Sequence, residues 1–346
     1  MFGSRLRPRT WRGHSTARRR MAGVVAALVA GTVGGLPALG ASASTAARAG
    51  AAAPTSTAAR AGAITRAGAH WRTVFSDRFA GRAGSRAGAK WAYDVGTQYQ
   101  GSSCPANWGT GEVETARAST ANVRRDGHGH LVIRALDSGG QWTSGRIETK
   151  SDRFAAPAGG EMKVVASLRQ PDPHGGLGYW PAFWMLGAGF RASGAGTSGS
   201  MNCPSWPSIG EIDVLEDVNA LSEHSGTLHC DVAPGGACNE FTGLTSGLQP
   251  CPGCQSGYHT YSVIVNRRTS NESITWYLDG RAYFTVTESQ VGTAAWQSAV
   301  DHGFFLILDV AMGGSFPNAV CGCTSPTSAT TPGAAMKVQY VKVLVR

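Results

Sequence analysis

Residues 210–217 read GEIDVLED, in which Glu211, Asp213 and Glu216 stand among branched apolar residues and Asp217 ends the stretch. The branched residues favour a β-strand, although acidic residues are poor strand formers. Side chains alternate between the two faces of a strand, so Glu211 and Asp213 share one face. Glu216 follows Glu211 by five positions, and strict alternation would place it on the opposite face.

One extra residue in the strand, a β-bulge, would return Glu216 to the face of the other two carboxylates. We therefore predict a bulge at Val214–Leu215, since bulges are common beside active sites. A retaining glycosidase uses two carboxyl groups roughly 5–5.5 Å apart, one as nucleophile and one as acid/base. Asp213 would lie between them and raise the pKa of the acid by like-charge repulsion. A solvated acidic strand face and a calcium site are the alternative interpretations of this spacing.

Aromatic residues near this strand favour a carbohydrate site. Trp206 precedes Glu211 by five residues, and Trp180 and Trp184 share one strand face. Their rings could stack on the apolar C–H faces of sugars, although core packing would explain paired tryptophans equally well. Other candidate substrate-binding groups lie near predicted strand ends, where each could instead be structural: Asn107, Trp108, Glu112, Arg146 and His229.

The rest of the chain after residue 70 consists of short predicted strands separated by turn residues. Alternating apolar patterns predict strands at 73–79, 130–136, 145–150, 160–169, 181–187, 209–217, 224–230, 258–267, 273–286, 303–313 and 337–345. Asp279-Gly280 predicts a hairpin turn, and one short helix is expected near 288–298. Many strands without βαβ alternation indicate an all-β, antiparallel sandwich or barrel, with long loops that build a cleft.

Positive charge is confined to the N-terminal segment. The net charge of +9 includes ten arginines and no acidic residue within residues 1–70, which leaves 21 basic and 22 acidic residues elsewhere. The folded part therefore carries no basic footprint, and we expect no nucleic-acid partner. We expect a monomer whose partner is a polysaccharide.

The N-terminal 43 residues have the order of a secretory signal. An arginine-rich start precedes the apolar stretch 21–40 and the small residues ASAS, with cleavage predicted after Ala43. A membrane anchor is the alternative, but five glycines and a proline within this stretch favour a cleaved signal over stable membrane association. Arg18-Arg19-Arg20 would suit a twin-arginine route. Residues 44–70 predict a flexible linker, and residues 71–346 the folded domain.

The cysteines also indicate export. All eight lie after residue 100, and an even number in a secreted chain predicts disulfides, although their connectivity stays open. Zinc is the alternative for the Cys251-x-x-Cys254 and Cys321-x-Cys323 pairs. The eight are Cys104, Cys203, Cys230, Cys238, Cys251, Cys254, Cys321 and Cys323.

Taken together, these motifs resemble glycoside hydrolase family 16, in its laminarinase-like branch. The resemblance covers nearly all of residues 71–346, in order. It rests on FSDRF (75–79), NWGTGEVET (107–115), WTSGRIETK (142–150), GLGYWPAFWMLG (176–187), WPSIGEIDVLEDVN (206–219), SGTLHC (225–230), ITWYLDG (274–280), GFFLILDVAMGG (303–314) and KVQYVKVLV (337–345). The E-I-D-x-x-E form is the bulged variant that the resemblance associates with β-1,3-glucanases.

The resemblance implies an antiparallel β-jelly-roll sandwich, concanavalin A-like, with a substrate cleft on the concave sheet. It implies a retaining endo-hydrolase in which Glu211 is the nucleophile, Asp213 its assistant and Glu216 the acid/base. It also places donor subsites at Trp206, Trp180, Trp184, Arg146, Asn107, Glu112 and His229.

The resemblance implies no required cofactor and no catalytic metal. Some family members hold a structural calcium, but Gln339 and Arg78 stand where those members carry acidic residues, which leaves a structural calcium here as an open question. Mixed-linkage β-1,3-1,4-glucan and β-1,3-galactan are rival substrates. A transglycosylase and, more remotely, a non-catalytic lectin-like sandwich are rival functions.

Overall fold

The structure is a computed structural model that describes residues 70–346. The predicted secretory signal lies outside the described residues, and the predicted linker reaches them only at its last residue. Within 70–346, no helix has the length and hydrophobicity that crossing a membrane requires.

The described residues form mainly β-strands. In chain order the strands are β1 (Arg72–Asp77), β2 (Trp91–Asp94), β3 (Gly101–Ser102), β4 (Thr115–Ala116), β5 (Val123–Arg125), β6 (Leu131–Arg134), β7 (Leu136–Ser138), β8 (Gln141–Ser144), β9 (Arg146–Thr149), β10 (Glu161–Arg169), β11 (Tyr179–Gly187), β12 (Arg191–Ser193), β13 (Ser200–Asn202), β14 (Glu211–Glu216), β15 (Glu223–His229), β16 (Leu244–Thr245), β17 (Gln249–Pro250), β18 (His259–Asn266), β19 (Ser273–Leu278), β20 (Arg281–Thr287), β21 (Phe304–Met312) and β22 (Ala335–Val345). The α-helices are α1 (Glu288–Val291), α2 (Thr293–Val300) and α3 (Ser315–Cys321).

Two eight-stranded antiparallel sheets carry the fold. The first sheet has the order β20-β19-β18-β10-β22-β6-β5, and β1 also pairs with β22. The second sheet has the order β16-β15-β14-β11-β21-β9-β2, and β17 also pairs with β15. The predicted antiparallel jelly-roll sandwich is confirmed.

Each strand predicted from alternation overlaps one or two strands of the structure, and the hairpin at Asp279-Gly280 joins β19 to β20. The helix expected near 288–298 corresponds to α1 and α2. Sequence alternation missed nine strands of two to four residues, because a segment so short shows no recognisable period: β2, β3, β4, β5, β8, β12, β13, β16 and β17.

The main core lies between the two sheets. Apolar residues of β10, β18 and β22 pack against those of β11, β14 and β21, and Trp276 and Phe183 are fully buried among them. A smaller apolar cluster, which includes Tyr99 and Phe305, lies apart from this core and packs against Trp108, Trp184 and Trp206. The second sheet is therefore apolar on its inner face and partly covered by loops on its outer face.

The GEIDVLED segment forms β14 with the predicted bulge. On β11, Phe183 pairs with Leu215 and Trp184 pairs with Asp213, so Val214 is the extra residue. The strand begins after Gly210, which has φ of 78° and lies so close to the Ala299 carbonyl that a Cβ would stand 2.0 Å from that oxygen. Only glycine tolerates both conditions, and this defines where the strand starts.

A tryptophan from the opposite sheet supports the bulge. Trp276 of β19 is fully buried, and its indole N–H donates to the Asp213 carbonyl oxygen at 2.7 Å. Bulges interrupt the hydrogen-bond ladder, and buried carbonyls need partners. Trp276 therefore satisfies a backbone group at the position where the strand departs from regular pairing.

The eight cysteines pair as four disulfides: Cys104–Cys203, Cys230–Cys238, Cys251–Cys254 and Cys321–Cys323. This pairing agrees with the disulfide interpretation, and it leaves no free thiolate in the described part for the zinc alternative.

Candidate active site

The bulge brings the three carboxylates of β14 to one face. Ile212, Val214 and Leu215 pack in the main core, while Glu211 and Glu216 remain partly exposed. On β15, Glu211 pairs with His229 and Glu216 pairs with Ser225, with a register shift between Asp213 and Glu216. A β-bulge thus explains why Glu216 is out of phase with Glu211 and Asp213 in the sequence.

Cross-strand pairing extends this face across the second sheet. Glu216 pairs with Ala182 of β11, Ala182 with Asp309 of β21, and Asp309 with Arg146 of β9. Side chains directly opposite each other in a sheet point to the same face. Ala182 is small, so the row from Glu216 to Arg146 leaves space above its centre.

Two indoles donate to the two glutamates. Trp206 Nε1 donates to Glu211 Oε2 at 3.1 Å, and Trp180 Nε1 donates to Glu216 Oε1 at 3.0 Å. Both rings remain partly exposed. Each indole therefore orients one carboxylate and offers apolar surface beside it.

His229 connects the carboxylates to a fourth acid. Its Nε2 lies 3.5 Å from Asp213 Oδ2 and 4.0 Å from Glu211 Oε1, and its Nδ1 lies 2.8 Å from Glu240 Oε2. The Glu240 side chain is fully buried, and its other oxygen accepts the Cys230 N–H at 2.8 Å. Burial disfavours the imidazolium, but the Glu240 hydrogen bond and the nearby glutamate charges outweigh it and raise the pKa of His229.

Burial dominates the ionisation of the three β14 carboxyls. It raises the pKa of Glu216 to about 7, against the opposing effects of His229 and the Trp180 N–H. It also raises the pKa of Glu211, against His229 and the Trp206 N–H. The pKa of Asp213 is raised well above its ordinary value, by burial and then by the charges of Glu216 and Glu211. A carboxyl that keeps its proton near neutral pH can act as a general acid.

Arg146 lies in a second, buried cluster beside these carboxylates. Its Nε lies 3.4 Å from Asp94 Oδ2 and its Nη1 lies 3.7 Å from Asp309 Oδ2. The guanidinium also lies 4.5 Å from the ring centroid of Trp108 and 4.7 Å from that of Trp184. Only 7% of the Arg146 side chain is exposed, so the structure places it behind the aromatic rings.

The remaining predicted subsite residues lie in different surroundings. Trp184 Nε1 donates to Asp309 Oδ1 at 2.8 Å. Asn107 is exposed at the start of a short 3-10 helix, Asn107–Gly109. Glu112 is buried and accepts a hydrogen bond from the Thr110 hydroxyl at 2.7 Å. Gly314 lies against both Glu112 and Trp180, which places Glu112 near the Glu216 side of the site.

Three residues of this region escaped the sequence analysis as site residues: Asp309, Glu240 and Phe241. Asp309 carries the one charge in the otherwise apolar strand FFLILDVAM, and a charge in such a strand is itself a signal. Glu240 and Phe241 follow Cys238 closely, but nothing local indicates that their loop folds back to His229.

Metal-ligand spacing occurs at two places in the described residues. Glu211, Asp213 and His229 offer ligand atoms within 4.8 Å of one another, as do Cys251, Cys254 and His259. The second group is a disulfide, so its sulfurs are not thiolates. The expectation of no catalytic metal stays a prediction.

The calcium question stays a prediction at the two positions noted for it. The amide oxygen of Gln339 accepts a hydrogen bond from the Ser167 hydroxyl at 2.8 Å, and Arg78 is cationic.

Known proteins resemble this chain in sequence and in structure. It is 31% identical over 272 residues to "Glucan endo-1,3-beta-glucosidase A1" of Niallia circulans, which covers 74% of this chain. It is 30% identical over 258 residues to "Beta-glucanase" of Rhodothermus marinus, covering 71% of this chain and 77% of that protein. The structure of endo-1,3-beta-glucanase from Streptomyces sioyaensis is 47% identical with a TM-score of 0.74, and the match covers 80% of this chain and 96% of that one.

The matched region is only part of some relatives. It spans 35% of the length of the Niallia circulans protein. No protein-family model matches the chain.

Proposed function

The chain belongs to glycoside hydrolase family 16, in its laminarinase-like branch, and on this premise we propose that it hydrolyses β-1,3-glucan internally and with retention of configuration. The observation that carries the proposal is the bulged strand, which puts Glu211, Asp213 and Glu216 on one face, with a tryptophan N–H on each glutamate. Relatives named for endo-1,3-β-glucanase activity support the choice of substrate.

Glu211 is the nucleophile in this mechanism. Its carboxylate attacks the anomeric carbon while the bond to the leaving glycosidic oxygen breaks, which forms a covalent glycosyl-enzyme. Burial raises the pKa of Glu211, but His229 and the Trp206 N–H oppose that rise and favour the ionised form, as a nucleophile requires. Asp213, whose raised pKa favours its protonated form, can share its proton with Glu211 and hold it in place.

Glu216 is the acid and then the base. It donates its proton to the departing oxygen, and a pKa of about 7 keeps that proton in place in mildly acidic solution. Once the leaving chain has departed, ionised Glu216 removes a proton from water, which attacks the glycosyl-enzyme and releases Glu211. Activity should therefore fall as pH rises above about 7, because the acid is then ionised before the reaction begins.

Hydrolysis of a polysaccharide panel tests the proposed substrate. Wild-type protein should release reducing ends from laminarin, and product analysis on laminarin, mixed-linkage β-1,3-1,4-glucan and β-1,3-galactan identifies the linkage cut. Glu211→Gln and Glu216→Gln should each lower the rate about a thousandfold or more while the fold is retained. Near-wild-type turnover in either variant would contradict these roles, and binding without release of reducing ends would instead indicate a lectin-like protein.

Azide separates the two glutamate roles. With an activated aryl glycoside, Glu216→Ala should accept azide on its glycosyl-enzyme and give the β-glycosyl azide. Glu211→Ala lacks the covalent step, so azide should attack directly and give the α-glycosyl azide. The reverse pattern would exchange the two roles, and sugar products longer than the substrate would indicate transglycosylation.

We further propose that the protein acts outside the cell on its polysaccharide. Four disulfides suit an oxidising compartment, and the N-terminal sequence has the order of a secretory signal. Non-reducing electrophoresis of protein recovered from culture medium, with N-terminal sequencing, tests this. Cleavage after Ala43 is expected, and retention of the protein with an intact N-terminus in the membrane fraction would contradict it.

A further inference from the structure

One apolar ring stands out on the surface beside the proposed active site. Phe241 is 68% exposed, the highest value among the large hydrophobic side chains that are exposed in the described part of the chain. Single exposed apolar residues are common on protein surfaces, so the case for a contact at Phe241 depends on what its ring lies against.

Phe241 lies against the aromatic residue that touches the proposed nucleophile. Its ring is 15° from parallel to that of Trp206, with centroids 6.0 Å apart, which is an offset stack. The Trp206 indole N–H in turn donates to Glu211. Trp206 therefore stands between Glu211 and Phe241, and the two rings form one continuous apolar wall that starts at the site of bond cleavage.

The residues that precede Phe241 in the chain hold it in this position. The preceding residue, Glu240, is buried and bonded to His229 and to the Cys230 N–H. The Cys230–Cys238 disulfide closes the base of the segment, and Asp231 accepts the Ala237 N–H at 2.8 Å inside it. Residues 230–243 form the 230–243 loop. Glu240, the residue next to Phe241, thus bonds this loop to the active-site histidine.

We propose that Phe241 is a substrate-contacting residue, which extends the Trp206 surface and binds a sugar unit beyond the one next to the cleaved bond. This inference rests on the proposed function and deepens it. The ligand is the apolar C–H face of a glucose unit in a β-1,3-linked chain, since a neutral exposed ring has no group that would select a charged ligand. Short substrates end before this contact, so Phe241 determines a preference for longer chains.

Steady-state kinetics on β-1,3-linked gluco-oligosaccharides of increasing length test the inference. Phe241→Ala should raise KM for the longer oligosaccharides about three- to tenfold, with kcat unchanged and with the shortest cleaved substrate unaffected. Phe241→Tyr keeps the ring and should behave like wild type. Val232→Ala is the matched control, because Val232 is 57% exposed on the same loop, and it should change neither constant.

Two results would overturn the inference. One is an unchanged KM at every chain length in Phe241→Ala. The other is a fall in kcat that is equal for short and long substrates, which would mean that Phe241 acts only by supporting Trp206. If wild-type protein cleaves no β-1,3-glucan, the proposed function itself fails. In that case, the inference is tested separately by binding to whichever polysaccharide wild type does cleave. The affinity of the Glu216→Gln variant is compared with that of the same variant carrying Phe241→Ala.

Discussion

Two groups of buried carboxylates on the second sheet differ in the cations that face them. Asp94 and Asp309 face Arg146 at 3.4 and 3.7 Å, and Glu148 accepts a hydrogen bond from Arg191 at 2.8 Å. His229 is the one cationic partner that the described residues bring within ion-pair distance of Glu211, Asp213 and Glu240, and they bring none that close to Glu216.

Burial alone does not separate the groups, because it raises the pKa of both Glu216 and Asp309 to about 7. The difference is the kind of partner. A guanidinium keeps its charge at every relevant pH, whereas an imidazole gains and loses a proton near neutrality. The carboxyls of the Arg146 group thus face a cation of fixed charge, while those of the β14 group face one that can itself gain and lose a proton, as acid/base catalysis requires.

The largest expected contrast is in the free energy of unfolding, after one substitution in each group. Arg146→Met leaves two buried carboxylates without their cation and should lower the free energy of unfolding by about 3–5 kcal/mol. Glu216→Gln removes a charge from a repelling group and should leave that free energy unchanged or higher, although activity is lost. Urea denaturation followed by fluorescence measures both. Arg146→Lys, which keeps the charge but not the fork, should fall between wild type and Arg146→Met. Equal destabilisation by Arg146→Met and Glu216→Gln would refute the contrast.

A smaller effect is expected at the support of the bulge. Trp276→Phe removes the N–H that the Asp213 carbonyl accepts and should cost about 1–3 kcal/mol of stability. It should also lower kcat, because the bulge determines to which face of the sheet the Glu216 side chain points. Trp296→Phe is the matched control, since Trp296 is equally buried and its indole donates to Glu272 instead. We expect Trp296→Phe to lose comparable stability without a change in kcat, and equal kcat in both variants would count against the role of Trp276.

The smallest expected effect is on the pH dependence of stability. A carboxyl whose pKa is about 7 in the fold, such as Glu216 or Asp309, binds a proton that the unfolded chain has released above about pH 4. The folded state then holds more protons, so this contribution is full at low pH and is lost as pH rises towards 7. The urea concentration at the unfolding midpoint should decrease as the pH is raised from 5 to 7. Asp309→Asn should flatten the fall of the unfolding free energy with pH by about 1 kcal/mol per pH unit, and an identical slope in the variant would contradict the raised pKa.

Several features of this protein could be predicted from local sequence. Apolar alternation located the long strands, and the five-residue separation of Glu211 and Glu216 predicted the bulge. Both follow because side-chain direction in a strand has a period of two, so an error in phase is visible without any knowledge of neighbours. The fold class and the three candidate catalytic carboxylates therefore depend on short-range pattern.

Other features arise only when distant segments meet. Trp276 reaches Asp213 from the opposite sheet, 63 residues along the chain, and Glu240 reaches His229 through a loop closed by a disulfide. Likewise, sequence suggested that Arg146 contacts substrate, while the fold surrounds it with buried acids and aromatic rings. The residue types present are set locally, but burial and counter-charge depend on which strands lie side by side. Tertiary structure therefore decided which carboxylates face a cation of fixed charge and which face an imidazole that can gain and lose a proton.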